Sequence, residues 1–302
     1  DEILKEIVYL NLMNFGVIGP GKMGQLFIRD LLNLGAELNY LKASNPINTK
    51  KKIISYQKEK KVINNQINQS DFLIISSSTK THYKYINQYY KKKNLLIEKP
   101  FFFCVNKSYD WHLDKAKIFL KTKKYITVNL SNYILGDSYK KQKFYKKKKF
   151  KKFFFTFYTS GKNNYKFIIL DLMPHFFSII QRLTPCKSIK IIKKEVKKIE
   201  TFLILRIDNL ICYIDLKEDQ KIKKLSFGFD NFIFDRKQIL NKNTLKNYLY
   251  NKKKNLKIQI TNPLNKFTED YYNNIKRNSY NTEKKFIYQN FKLTLKTYFF
   301  SP

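Results

Sequence analysis

The chain has 302 residues, of which 43% are hydrophobic and 16% aromatic; that is enough for two domains with packed cores and too apolar for a disordered polypeptide. No apolar run reaches the ~18–20 residues of a membrane span, and a net charge of +37 raises the question of a polyanionic partner. Only five of the 60 basic residues are arginine, the side chain best suited to bidentate phosphate and base contacts. Lys, Asn, Ile, Phe and Tyr are abundant instead. Those are the residues of AT-rich codons, so drift in composition accounts for the charge and argues against a nucleic-acid partner. Cys104, Cys186 and Cys212 show no CxxC spacing, as expected of a reduced, cytosolic protein without a disulfide framework. No HxxxH or Cys/His cluster implies a metal.

The first twelve residues, DEILKEIVYLNL, carry acidic side chains and no small-residue cleavage site. They read as an extension ahead of the fold and not as a signal peptide. FGVIG (15–19) predicts a strand, and MGQLFIRDLLNL (23–34) a helix stopped by Gly35. LNYLKAS (38–44) is a second strand, KKIISYQKEKK a helix, and DFLIISSS (71–78) a third strand. The helix HYKYINQYYKKK (82–93), the strand NLLIEKP (94–100), a helix near 106–121 and the strand YITVNLSNY (125–133) follow. This alternation predicts an α/β fold, a doubly wound parallel sheet over residues 13–128. From 129 to 302 the pattern changes to an α+β domain with a large, mostly antiparallel open sheet. Its strand signals are KKFFFTFYTS, SIKIIKKEVKKI, TFLILRIDN, LICYIDLK and KLSFGFDNFIFD, with helices at 174–183 and roughly 263–298.

Four of the eight glycines fall within GVIGPGKMG, residues 16–24. Gly19-x-Gly21-x-x-Gly24 sits between a strand and a helix, the context a dinucleotide-binding turn requires. The first glycine permits the turn, the second admits a pyrophosphate to the main chain, and the third lets helix and strand approach. The helix N-terminus supplies donors and positive dipole. Pro20, Lys22 and Met23 complete the cofactor-binding loop. The second strand ends in Ser44 and Asn45, without the carboxylate that holds an unphosphorylated adenosine ribose, and Lys50–Lys52 follow. NADP is therefore favoured slightly over NAD.

With DFLIISSSTKTH (71–82), NLLIEKP (94–100) and ILDLMPH (169–175), the chain resembles the glucose–fructose oxidoreductase / inositol dehydrogenase (Gfo/Idh/MocA) family of NAD(P)-dependent oxidoreductases. The ordered set of glycine turn, D…H, E-K-P and D-x-x-x-H motifs carries the likeness across nearly the whole chain from residue 14. The resemblance implies that Glu98 and Lys99 lie beside the nicotinamide, that Ser77, Ser78 and Thr79 line the cofactor, and that His82 closes their loop. It implies a catalytic trio of Lys99, Asp171 and His175, a sugar or polyol substrate, and a homo-oligomer formed through the second-domain sheet. The chemistry suits the residues: imidazole takes a hydroxyl proton near neutrality, ammonium stabilises the alkoxide, and carboxylate holds a substrate hydroxyl. Pro174 places Asp171 in the entering turn and His175 at the start of a helix, where the dipole would lower its pKa. His112, outside the motifs, reads as a helix-surface residue. The chain departs from the family pattern at Ser77-Ser78, at Leu172–Pro174, and in lacking an arginine in YITVNLSNY. Two other readings stay open: a cofactor-binding protein without turnover, and a lysine-rich nucleic-acid binder.

Overall fold

Apolar runs of three to six residues, too short for helices and bounded by turn residues, form five strands in the first half of the chain. The computed structural model describes residues 13–43, 67–146, 150–160, 167–218, 221, 223–241, 244–277 and 283–302. The expected amino-terminal extension, the helix at KKIISYQKEKK, and Ser44, Asn45 and Lys50–Lys52 lie outside the described residues.

Strands β1 (Asn14–Ile18), β2 (Glu37–Lys42), β3 (Phe72–Ile75), β4 (Asn94–Ile97) and β5 (Ile126–Val128) form a parallel sheet of order β2-β1-β3-β4-β5. Helices α1 (Lys22–Asn33), α2 (Thr79–Tyr89) and α3 (Tyr109–Leu120) join them. The order reverses at β1, so right-handed crossovers place α1 on one face and α2 and α3 on the other. The carboxyl ends of β1 and β3 part at that switch point, where doubly wound sheets bind ligands. Strand β5 is shorter than expected. Tyr133 already begins α4 (Tyr133–Lys140), which buries Ile134, Leu135 and Tyr139, a periodicity hidden by the polar residues before it.

The chain divides into two compact units, residues 1–129 with 265–288, and 130–264 with 289–302. The returning segment joins the first unit through Tyr271, which stacks on Tyr125 and meets the ring of Phe72 edge-on. The helical stretch expected over 263–298 is therefore two helices, α6 (Pro263–Lys276) and α7 (Glu283–Phe299).

The second unit is built on an eight-stranded sheet of order β13-β12-β11-β10-β6-β9-β8-β7. Its strands are β6 (Lys152–Thr159), β7 (Ile189–Val196), β8 (Glu200–Ile207), β9 (Leu210–Glu218), β10 (Lys224–Phe229), β11 (Phe232–Asn241), β12 (Thr244–Asn251) and β13 (Leu256–Ile260). Only β6 and β9 pair in parallel; all other neighbours are antiparallel. Strict alternation turns Phe153, Phe155, Leu203, Leu205, Cys212 and Ile214 into one core. Strands β12 and β13 were not legible in the sequence, because lysine and asparagine interrupt TLKNYLYN and LKIQI.

The core is covered by α5 (Ile168–Leu183), which starts six residues earlier than expected and carries Pro174 in its interior. An interior proline costs about 3 kcal/mol. Burial of Ile168, Leu172, Met173, Phe176, Phe177 and Ile180, at roughly 1.5–3 kcal/mol each, outweighs it. Asp171 is thus in the first turn but His175 is two turns in, away from the helix end, and the expected dipole effect on its ring does not apply.

Tyr139, fully buried, donates from Oη to the carbonyl of Phe232 at 2.8 Å and accepts from the N–H of Phe229 at 3.1 Å. Tyr139→Phe removes both of these buried bonds and is expected to lower stability by about 1–3 kcal/mol. Urea unfolding checks this, and an unchanged midpoint would refute it.

Candidate active site

In the first unit the glycine turn closes directly against the end of β3. Gly19 has φ +77°, and a Cβ there would lie 2.3 Å from Cα of Ser77. Its N–H donates to the carbonyl of Lys42 at 2.8 Å, and Ser76 Oγ donates back to its carbonyl at 2.8 Å. A Cβ on Gly24 would sit 2.5 Å from that same Ser76 hydroxyl, so α1 packs hard against the strand ends. Gly21 differs: a Cβ there would meet nothing within 4 Å. What it would fill is a cleft of about 330 Å³ lined by Gly19, Pro20, Gly21, Ala43, Ser76, Ser77 and Ser78. Gly21 and Ser78 are the N-caps of α1 and α2, and neither helix receives a hydrogen bond from its cap side chain. Two helix N-termini therefore bring main-chain donors to one cleft, a surface suited to a pyrophosphate. Lys22 is exposed and Met23 half-buried on the first turn of α1, and Thr79 opens α2.

His82 lies one turn into α2 and is almost wholly buried. Its Nε2 faces the carbonyl of Ser77 at 2.9 Å and its Nδ1 that of Pro100 at 3.0 Å. It ties the loop after β3 to the loop after β4. Burial pushes its pKa below the ordinary imidazole range, against the opposing pull of those carbonyls. In the second loop Glu98 is buried and accepts from Asn129 Nδ2 at 2.8 Å, while Lys99 is half-buried before a cis peptide to Pro100.

His112 is not a surface residue. It is fully buried on α3, stacked on Phe102 and Phe103 with centroids 5.8 and 5.0 Å away. Its Nε2 accepts from the N–H of Cys104 at 3.0 Å and its Nδ1 faces the carbonyl of Ser108 at 2.7 Å. The FFFC run before α3 folds its rings over the helix, an enclosure invisible in helical spacing. Burial lowers its pKa as well.

Asp171 and His175 belong to the second unit and Lys99 to the first. An i, i+4 spacing puts Asp171 and His175 on one face of α5. His175 meets the ring of Phe157 edge-on at 4.9 Å, and its Nδ1 lies 3.0 Å from Asn132 Nδ2. Sequence reasoning missed Asn132, Ser76 and Ala43. Ser76 was legible as a small hydroxyl ending β3, whereas Asn132 carried no motif.

A parallel sheet whose first crossover is a glycine turn, opening on a cleft with two uncapped helix ends, defines a dinucleotide-binding Rossmann domain. Residues 13–121, within the amino-terminal unit, match the family model described as Oxidoreductase family, NAD-binding Rossmann fold (GFO_IDH_MocA). No curated protein sequence matches the chain. Among solved structures, UDP-N-acetylglucosamine 3-dehydrogenase from Acidithiobacillus ferrooxidans is similar at TM-score 0.68 and 13% identity, over 94% of this chain and 96% of that one. A dehydrogenase from Clostridium difficile gives 0.67 and 16%, over 93% and 97%. A 3-ketoreductase from Actinomadura kijaniata, in complex with NADP and TDP-benzene, gives 0.71 and 10%, over 95% and 97%. At these identities the likeness is one of fold. Among the described residues no helix is long and apolar enough to cross a membrane, and no His, Cys, Asp or Glu cluster could hold a metal.

Two outcomes follow from this geometry. Gly21→Val is expected to leave thermal stability nearly unchanged while weakening NADP or NAD at least ~10-fold, about 1.4 kcal/mol. Gly19→Ala adds about 1–2 kcal/mol of left-handed strain and should destabilise the fold. Calorimetry with each coenzyme beside thermal melts separates the two, and equal loss of stability in both variants would contradict the assignment. Burial lowers the pKa of His82 and His112 in the fold, whereas the unfolded chain binds protons near pH 6.5. Their contribution to stability is therefore full above about pH 6.5 and lost as pH falls below it. The slope of urea midpoint against pH in that window should be shallower in His112→Gln; an identical slope would count against it.

Proposed function

We propose that the protein transfers hydride between a nicotinamide coenzyme and a hydroxyl-bearing or ketone carbon of a sugar, sugar derivative or cyclic polyol. The observation that carries this reading is the cleft of Gly19–Gly21 and Ser76–Ser78, where a side chain on Gly21 would have only a ligand to displace. The residues present fit the coenzyme: the bare main chain of Gly19–Gly21 and Ser76–Ser78, between the two helix N-termini, would hold its pyrophosphate, and His82 ties the Ser77 loop to the loop of Glu98–Pro100. When bound, the coenzyme supplies the hydride acceptor or donor.

The chain's own residues handle the proton. In oxidation, His175 takes the proton of the substrate hydroxyl as hydride leaves the same carbon, and in reduction imidazolium returns it. Lys99 stabilises the oxygen while it bears negative charge. Asp171, on the same face of α5 as His175, accepts a hydrogen bond from a neighbouring hydroxyl and fixes the sugar. The end of β2 without a carboxylate supports NADP over NAD. The structurally similar UDP-N-acetylglucosamine 3-dehydrogenase and the 3-ketoreductase holding NADP support sugars, nucleotide-linked ones among them, as the substrate class. The three cysteines are free thiols, which supports a reducing, cytosolic setting.

The test is absorbance of reduced coenzyme against a panel of free sugars, inositols and nucleotide sugars, with NADP and NAD. Turnover is expected with higher kcat/KM for NADP, falling ~10²-fold or more in Lys99→Ala and His175→Ala while coenzyme still binds His175→Ala. Coenzyme binding without turnover on any substrate would leave a protein that holds the coenzyme for another purpose. Failure to bind either coenzyme, with a steep loss of DNA affinity in salt, would favour the nucleic-acid reading.

A further inference from the structure

Asparagine is among the best helix N-caps, because its side chain can accept from the first free N–H groups, and losing such a cap costs about 1 kcal/mol. Asn132 is the N-cap of α4, yet its side chain makes no capping bond. The helix is entered by a tight turn in which the N–H groups of Tyr133, Ile134 and Leu135 donate to the carbonyls of Leu130, Ser131 and Asn132. The buried amide is spent on His175 instead, at 3.0 Å.

The pairing is held by the register of two helices. Asn132 faces His175, Gly136 faces Ile179 one turn on, and Asp137 faces Arg182. A Cβ on Gly136 would lie 2.8 Å from the carbonyl of Ile179, so only glycine lets α4 approach this closely. The guanidinium of Arg182 grips the carboxylate of Asp137 through two bonds of 2.9 Å. From the α5 side, Ser178 Oγ donates to the carbonyl of His175 at 2.8 Å, and the edge-on ring of Phe157 limits rotation of the imidazole.

We infer that Asn132 is the positioning residue that holds the orientation of His175 and, in the resting protein, its tautomer, an inference that gains its catalytic meaning from the function proposed above. An amide NH₂ has only hydrogens to offer. With that NH₂ turned toward it, Nδ1 of His175 presents its lone pair, and the neutral ring carries its proton on Nε2. The resting ring is a hydrogen-bond donor at Nε2, the form that engages a carbonyl oxygen. Acting as base at Nε2 requires the proton on Nδ1, and the same amide supports that state by turning its oxygen inward. A carboxylate at this place would hold only the second state, and an arginine only the first.

The protein has three histidines, so imidazole ¹⁵N–¹H spectra resolve each ring. On the alkaline side of the imidazole range, His175 in the native protein is expected as the Nε2–H tautomer. His112 serves as internal reference with the proton on Nδ1, since its Nε2 accepts from Cys104. Asn132→Asp should convert His175 to the Nδ1–H form, and Asn132→Ala should give a mixture, with His112 unmoved in both. In turnover, Asn132→Ala should lower kcat about 10–100-fold at unchanged KM for the coenzyme. A native His175 protonated at Nδ1, or one tautomer shared by all three proteins, overturns the inference. A tautomer that switches in a protein without sugar turnover upholds the positioning and removes the proposed catalysis; turnover with a tautomer indifferent to residue 132 does the reverse.

Discussion

Contact between the main chain at Gly19 and the main chain at Ser77 is the constraint on which the first unit depends. With 2.3 Å between a would-be Cβ and Cα of Ser77, no side chain fits, and the turn can close only in a left-handed conformation. That closeness does three things at once. It lets Ser76 bond the carbonyl of Gly19, seats α1 on the strand ends through Gly24, and leaves Gly21 facing open space. The cleft is what remains when the main chain packs against itself without side chains between. In a chain with only eight glycines, their concentration here reflects steric need and not local flexibility.

The second unit obeys a different constraint. Its sheet has one face sealed by α5, and the apolar residues of that helix are buried on nearly every side. Burial on that scale tolerates a proline that isolated helix propensity would reject, and it carries Asp171 and His175 on a rigid element. The same packing lets α4 settle against α5 through Gly136, and this brings an asparagine to a histidine 43 positions away. Rigidity of the supporting helices is what keeps that amide and the imidazole within hydrogen-bond distance.

The histidines show how local reading and enclosure part company. His82 and His112 lie on helices with similar surroundings in sequence, and only the motif distinguished the first. Both are buried, one between two carbonyls and the other between two phenylalanine rings. Helical spacing reports which residues share a face, and says nothing of a loop such as FFFC folding over that face. The charge of +37 likewise left no mark on the candidate cleft, whose lining is glycine, proline, alanine and serine.

By itself the sequence determined the parallel sheet, the glycine turn and the antiparallel character of the second half. These are written in local periodicity and in residues for which no substitute fits. Strands β12 and β13, the early start of α5, the return of residues 265–288 to the first unit, and the pairing of Asn132 with His175 were decided by the tertiary structure. Each of these depends on burial or on contact between distant segments, where the free energy of packing overrides what a proline, a lysine or an asparagine prefers on its own.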